Sequence, residues 1–254
     1  MRAALNQAWA RSWLALLMLA VWQVLALSGA LNPLFFPPPS KLIEALPDLL
    51  AGGHLARNLG WTLARTGVGF GLGVVCGIVV SVLICRWERL RVAAWPVIAA
   101  ANATPRLTLL PMAMLIFGVN EFARISLVAL CTLLLVVIQL SDAVRGVNAD
   151  YVNLAMNYGA SRATVIRRVY VPACLPQGFT ALRLGFGRAL VLTISVELLS
   201  CDNGLGNMIW SAWQTFATER LYLSVMAAAA LGLGSQILFE RLELVVVPWR
   251  NAKP

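Results

Sequence analysis

Apolar stretches about as long as a bilayer is thick recur along the chain, separated by short polar segments. A transmembrane helix needs about 20 mostly apolar residues, and residues 12–31, 66–85 and 221–239 meet that requirement without a single charge. Residues 125–141 are also charge-free and nearly as long. Residues 92–120 are interrupted only by Arg106 and carry Pro96, Pro105 and Pro111. Proline removes a backbone donor and clashes with the preceding turn, so this stretch predicts a broken or re-entering helix. Residues 179–201 carry Arg183, Arg188 and Glu197 among Leu, Val, Ile and Gly, and such charges persist in a span only where they face protein or water. The pattern predicts an all-α polytopic membrane protein of about six transmembrane helices, the fifth polar on one side.

Composition agrees. Of the 254 residues 60% are hydrophobic and only 12% charged, with a mean hydropathy of +0.78, too little polar material to cover a soluble globule. The net charge of +9 comes without a basic run or basic-aromatic stripe, so nucleic acid is not indicated and the sign reports topology. With the N-terminus in the cytoplasm, the cytoplasmic segments hold Arg2, Arg11, Arg86, Arg89, Arg91, Arg145, Arg162, Arg167, Arg168, Arg241, Arg250 and Lys253, against Lys41, Arg57, Arg124 and Arg220 outside. Short cytoplasmic loops collect Lys and Arg, which places both termini in the cytoplasm. Residues 1–31 then form an N-terminal transmembrane helix, residues 32–60 an external loop with a short amphipathic helix capped by Ser40, and residues 61–250 a core of about five spans with a cytoplasmic segment at 142–177. A cleaved signal peptide ending at Ala30 is the alternative for the first span. Its apolar core, with Trp9, Trp13 and Trp22, is long enough to cross, and a retained helix is the simpler reading.

The five cysteines are scattered without C-x-x-C spacing, and the single histidine, His54, has no second ligand nearby, so no metal site is supported; His54 reads as a solvated loop residue. No G-x-x-x-x-G-K-[ST] occurs, so any ATP used must be bound by another polypeptide. Paired acids, a Ser-His arrangement and a metal cluster are all missing from the sequence, and no catalytic residue is proposed. In the second span Gly69, Gly73 and Gly77 recur every four residues, leaving one helix face nearly free of side chains for close packing by another helix.

The informative region is residues 142–177, too polar to span. Residues 151–158 suit a short helix ended by Gly159, and Ser161 suits the cap of a second helix in which Val165, Ile166 and Val169 alternate with Arg162, Arg167 and Arg168. Such a helix, turn, helix under the membrane is either a connecting loop or a docking surface for a cytoplasmic partner. The segment resembles the cytoplasmic coupling motif of ABC importer permeases, an acid-Ala-Ala triplet followed after three residues by Gly and later by Leu-Pro. Asn153, Leu154 and Ala155 stand at the triplet, Gly159 at the glycine followed by Ala160 and Ser161, and Pro172 and Leu175-Pro176 close the motif. Asn153 replaces the usual acid and Leu154 the first alanine, so a charged contact to the ATPase is lost while helix and turn remain.

Further markers run from about residue 35 to 250: Phe36-Pro37-Pro38-Pro39-Ser40, residues 58–73, residues 103–118 with Phe117-Gly118, and Glu197-Leu198 followed by Gly204-Leu205-Gly206. In order and spacing they are similar to the nitrate, sulfonate and taurine branch of these permeases. The resemblance implies a type I ABC importer permease (MetI-like) fold in the bacterial inner membrane. It also implies a second permease copy, two cytoplasmic ABC ATPase subunits that bind the ATP, and a periplasmic or lipid-anchored substrate-binding protein. For the pathway itself Arg106 and Glu197 are the candidate lining residues, Arg183 and Arg188 being assigned to snorkelling or to pairs with loop acids, and Glu197 to a pair with an Arg of another span. A net positive lining would suit a small anion. Two other readings stay open at this point, a proton-coupled secondary transporter using Glu197 and a membrane scaffold whose loop recruits another protein.

Overall fold

The computed structural model describes the backbone of residues 2–250 and the side chains of residues 13–249. Lys253 and the side chains of Arg2, Arg11 and Arg250, counted in the charge balance, lie outside the described residues. Every element among the described residues is helical: α1 (Arg2–Leu27), α2 (Pro39–Ala51), α3 (His54–Arg86), α4 (Glu88–Ala103), a 3-10 turn (Arg106–Leu109), α5 (Leu110–Phe117), α6 (Glu121–Arg145), α7 (Ala149–Asn157), α8 (Arg162–Val165), a π turn (Ile166–Tyr170), α9 (Val171–Ser200), α10 (Leu205–Gln214), α11 (Thr218–Val246) and a terminal 3-10 turn (Pro248–Arg250). Helices are the open-ended structure that satisfies every backbone group inside a bilayer.

Three helices, α3, α6 and α11, are each long and apolar enough to cross a membrane, and the run Arg162–Ser200 with α10, bent by 45°, makes a fourth candidate. The other two expected crossings fall on shorter apolar stretches, Trp13–Leu27 within α1 and Arg106–Phe117. The proline-rich stretch is broken as its sequence requires, between α4 and the 3-10 turn at Thr104 and Pro105, both extended.

The segment 142–177 is shorter as a loop than its polarity suggested. α6 continues to Arg145, α9 begins at Val171, and Pro172 and Pro176 lie within the opening turns of α9 rather than closing a loop. The π turn offers a reason. Pro172 has no N–H and its ring crowds the carbonyl one turn back. Widening that turn, where the Val171 N–H reaches the Ile166 carbonyl, lets the helix pass through the proline.

The chain divides into two compact units, one comprising Met1–Trp61 with Glu197–Ala229 and the other Thr62–Val196 with Ala230–Pro254. The first therefore unites residues on both sides of the domain boundary expected at 61. In it Tyr222 donates from its hydroxyl to the Phe35 carbonyl at 3.1 Å, Trp22 packs on Tyr222 with ring centroids 5.3 Å apart, and the Gly204 N–H reaches Asn58 Oδ1 at 2.7 Å. Ser40 does not cap α2 but lies in its first turn, after Pro39. The Ser40 N–H donates to Gln23 Oε1 at 3.1 Å and Gln23 Nε2 returns a bond to Ser40 Oγ at 3.0 Å, so α1 supplies the cap. His54 opens α3 as an exposed residue of its first turn rather than standing in a loop.

Of α3, α6 and α11, α6 is the most buried. A Cβ added at Gly69 would lie 2.8 Å from Val128, at Gly73 2.5 Å from both the Ala129 carbonyl and Thr132 Cβ, and at Gly77 2.8 Å from Val136. α3 and α6 therefore touch backbone to backbone along this stripe, a small-residue contact of the kind that holds helices together in lipid, where hydrophobicity supplies no preference. On the other side of α6, Leu127, Val128 and Cys131 close a core with Leu110 of α5 and Ala189, Leu192 and Val196 of α9. Phe70, Phe186 and Phe239 form a ring cluster joining α3, α9 and α11, with centroids 5.3 to 6.0 Å apart.

Candidate functional site

α7 is capped at both ends by its own sequence. The Asn148 side chain accepts the Asp150 N–H at 2.8 Å, and Asp150 sits in the first turn, where negative charge suits the helix dipole. At the other end the Ala160 N–H returns to the Ala155 carbonyl at 3.0 Å and the Gly159 N–H to Met156 at 2.9 Å, with Gly159 at φ +78°. This is a glycine-terminated helix end that spends the last free carbonyls. Two residues on, Ser161 Oγ accepts the Thr164 N–H at 3.3 Å and starts α8.

The outcome is a nine-residue helix that buries none of its residues. Tyr151, Leu154, Met156 and Tyr158 are exposed, Tyr158 by 85%. Asn153 is exposed too, while Ala155 and Ala160 are half-buried. A helix this short is marginal in water without tertiary packing, and four large apolar side chains on so small an element mark an interaction surface. Asn153, Leu154, Ala155, Gly159, Ala160 and Ser161 thus share one helix and its turn. Pro172 and Pro176 do not join them; Pro172 lies eleven residues beyond Ser161, roughly 16 Å further along the helical run.

Glu197 and Arg106, the two candidate lining residues, are each held locally. Glu197 is 0% exposed, and its Oε2 accepts the Gly206 N–H at 3.0 Å in the first turn of α10. Gly204 has φ +104°, and the Glu197 carboxylate fills the space that a Cβ at this glycine would take. Asn207 Nδ2 closes the same turn on the Cys201 carbonyl at 2.7 Å. The sequence marker Glu197…Gly204-Leu205-Gly206 is therefore a cap: a carboxylate held on the N-terminus of a helix, where the dipole favours it. Expected among the lining residues, Glu197 instead presents no surface to solvent. Arg106 is half-buried in its 3-10 turn and donates to Asn102 Oδ1 at 3.3 Å.

Other charges settle in pairs. Arg183 reaches Glu240 of α11 at 3.1 Å, and Gln236 donates to the same oxygen at 3.2 Å. Arg65, 3% exposed, grips Glu121 through Nε and Nη2 at 2.7 and 2.8 Å, and Arg124 adds a bond of 2.7 Å. The i, i+3 spacing of Glu121 and Arg124 after the Asn120 cap was a local signal; Arg65, on another helix, had none. Glu121→Ala removes the carboxylate between two guanidinium groups. It is expected to cost about 2 kcal/mol, less than for a fully buried pair because the Glu121 side chain is 42% exposed. Thermal melting of the detergent-solubilised protein checks this, and an unchanged midpoint would mean the cluster contributes nothing.

Comparison with known proteins extends this geometry. The family described as binding-protein-dependent transport system inner membrane component matches residues 69–249. The taurine transport system permease protein TauC of Escherichia coli (strain K12) is 28% identical over 239 residues, covering 92% of this chain and 87% of its own. The formylaminopyrimidine transport permease protein ThiX of Halalkalibacterium halodurans is 25% identical over 236 residues, 93% of this chain and 94% of its own. The bicarbonate transport system permease protein CmpB of Synechococcus elongatus is 28% identical over 225 residues, 85% of this chain and 81% of its own. Among solved structures, a chain of the MetNI methionine ABC transporter in an inward-facing conformation superposes with a TM-score of 0.65 at 18% identity, over 73% of this chain and 92% of that one. A chain of a bacterial alginate ABC transporter in complex with its alginate-bound periplasmic protein gives 0.66 at 15% identity, over 95% and 97%. At these identities the structures speak for the fold alone.

Proposed function

The chain belongs to the binding-protein-dependent transport system inner membrane components, the transmembrane subunits of ATP-driven importers, and from that premise we propose that two copies of it enclose the path of a small solute. Both termini face the cytoplasm, two separate ATPase subunits bind the ATP and dock on α7 and the Gly159 turn, and an external binding protein delivers the solute. The observation that carries the docking assignment is the doubly capped α7 with no buried residue. The basic residues on the α7 side of the membrane support its cytoplasmic placement. With Asn153 where the related motif has an acid, the docking surface is apolar and aromatic, built from Tyr151, Leu154, Met156 and Tyr158, and its affinity for the ATPase depends little on salt.

The solute is a small anion of the sulfonate, taurine or nitrate kind. TauC in name and the net positive charge of the chain support this choice. Glu197 is a structural cap, which speaks against the proton-coupled alternative, since a proton-exchanging carboxylate needs access to water on each side in turn. The test is purification of the tagged protein from its native membrane in mild detergent, with co-purifying chains counted by mass spectrometry. A P-loop ATPase in equal amount is the expected result. Its absence under conditions that preserve other membrane complexes overturns the docking assignment and returns weight to the scaffold.

A further inference from the structure

Arg188 stands exposed on α9, and among the described residues no side chain or backbone group hydrogen-bonds or pairs with its guanidinium. Its depth follows from its neighbours. One turn to one side, a Cβ added at Gly185 would lie 3.5 Å from Leu135 of α6 and 3.3 Å from Phe70 of α3. On the other side, Ala189 and Leu192 pack with Leu127, Val128 and Cys131. Arg188 is therefore level with the middle of Glu121–Arg145, roughly 18 Å from either end of that helix by its rise per residue, more than half the hydrocarbon thickness of about 30 Å. At that depth snorkelling to an interface is out of reach, and a guanidinium facing lipid is not tolerated.

The same strip of α9 carries Leu184 and Val191, 43% and 66% exposed, and Ser195 two turns beyond Arg188, its hydroxyl bonded to the Val191 carbonyl. A second copy of the chain covering this strip has no acid to offer at this level. Of the eleven acidic residues, Glu197 is fully buried, Glu121 and Glu240 are already paired, Glu44 lies on the short helix α2, and the rest lie near helix ends or in loops. The counterion must come from outside the protein. Resting on the transport reading above, we propose that the Arg188 face of α9 lines the aqueous path and that Arg188 holds the anionic head of the passing solute, a sulfonate or comparable small oxyanion. Arg188, rather than Arg106 or Glu197, then sets the preference for anions over neutral solutes such as a formylaminopyrimidine.

The test places a cysteine one turn away, Val191→Cys, in the complete transporter with Cys76, Cys85, Cys131, Cys174 and Cys201 replaced by alanine or serine. The anionic sulfonatoethyl methanethiosulfonate is expected to label it at least ~5-fold faster than its trimethylammonium analogue, after correction for their rates with a free thiol, because a fixed charge in a narrow path concentrates anions. Adding Arg188→Gln abolishes that preference. Saturating ethanesulfonate slows the labelling and a neutral formylaminopyrimidine does not. No labelling, labelling without charge preference, or a disulfide between two copies in its place each overturns the proposal. In the transporter with native cysteines, Arg188→Gln is expected to lower ethanesulfonate uptake into vesicles at least ~10-fold, with Arg188→Lys recovering part of it; wild-type uptake by Arg188→Gln overturns the proposal too, even if the cysteine-free background fails to fold. The labelling arm does not depend on ATP, so a charge preference at Val191→Cys together with no ATP-driven uptake by the wild-type protein would refute the importer reading and leave the anion site standing.

Discussion

Gly73→Leu is expected to eliminate folded protein from the membrane, while Gly71→Leu, two residues away on the same helix, is expected to leave it at wild-type level. The contrast isolates one contact. A Cβ at position 73 meets the Ala129 carbonyl and Thr132 Cβ at 2.5 Å, whereas a Cβ at position 71 has nothing within 4 Å. The obstacle at 73 is α6 backbone, which cannot swing aside as a long side chain can, so α3 and α6 must separate along their length. Separation also loosens the neighbouring contacts at Gly69 and Gly77 and the core that α6 shares with α5 and α9. Overpacking of this kind costs about 3 kcal/mol or more, a large fraction of the stability of an ordinary domain. Because both substitutions add the same apolar side chain to the same span, hydrophobicity and insertion are held constant and only packing differs. Monodisperse protein recovered in detergent, and its melting midpoint, read the outcome. Equal recovery of the two variants would show that the glycine stripe is not what joins these helices.

The stripe was legible because its signal is local: four-residue spacing of glycine fixes one face of one helix whatever that face meets. The C-terminal end of α7 and the start of α8 were legible for the same reason, since Gly159 and Ser161 each bond within a few residues, whereas the Asn148 cap starts α7 two residues before the expected 151. The readings that needed a second segment of chain did not survive as well. Residues 66–85 marked the apolar part of α3, but the helix begins at His54, because its opening turns carry His54, Arg57 and Arg65, which no apolar window includes. Ser40 read as a cap in sequence, yet the cap comes from Gln23. Glu197 read as a charge in a span needing a partner, and the backbone N–H of Gly206 is one that the sequence did not point to. Burial near a helix start can stabilise a carboxylate through the helix itself, a contribution that only the turn at Gly204–Gly206 reveals. Arg188 shows the converse: on sequence it could be dismissed as a snorkelling cation, and only the packing of Gly185, Ala189 and Leu192 fixes its depth.

The second large effect is expected at Gly159, and there it should fall on transport rather than on folding. At φ +78° any other residue pays for a left-handed backbone, about 1 to 2 kcal/mol for most and more when β-branched, whereas Asn tolerates it best. No neighbour lies within 4 Å of the added Cβ, so backbone conformation is the whole of the effect. Since α7 buries no residue, the strain can be relieved by letting α7 leave its place without disturbing the spans. The melting midpoint of Gly159→Val should therefore stay close to wild type. ATP-driven uptake into vesicles should fall by more than ~90%, because a lever that has lost its fixed angle to α8 cannot transmit closure of the ATPases to the helices above it. Uptake should follow the order Gly, Asn, Ala, Val, tracking tolerance of the left-handed region rather than side-chain size or polarity. If Val at 159 carries solute at the wild-type rate, or if Ala outperforms Asn, the Gly159 turn does not set the geometry of coupling.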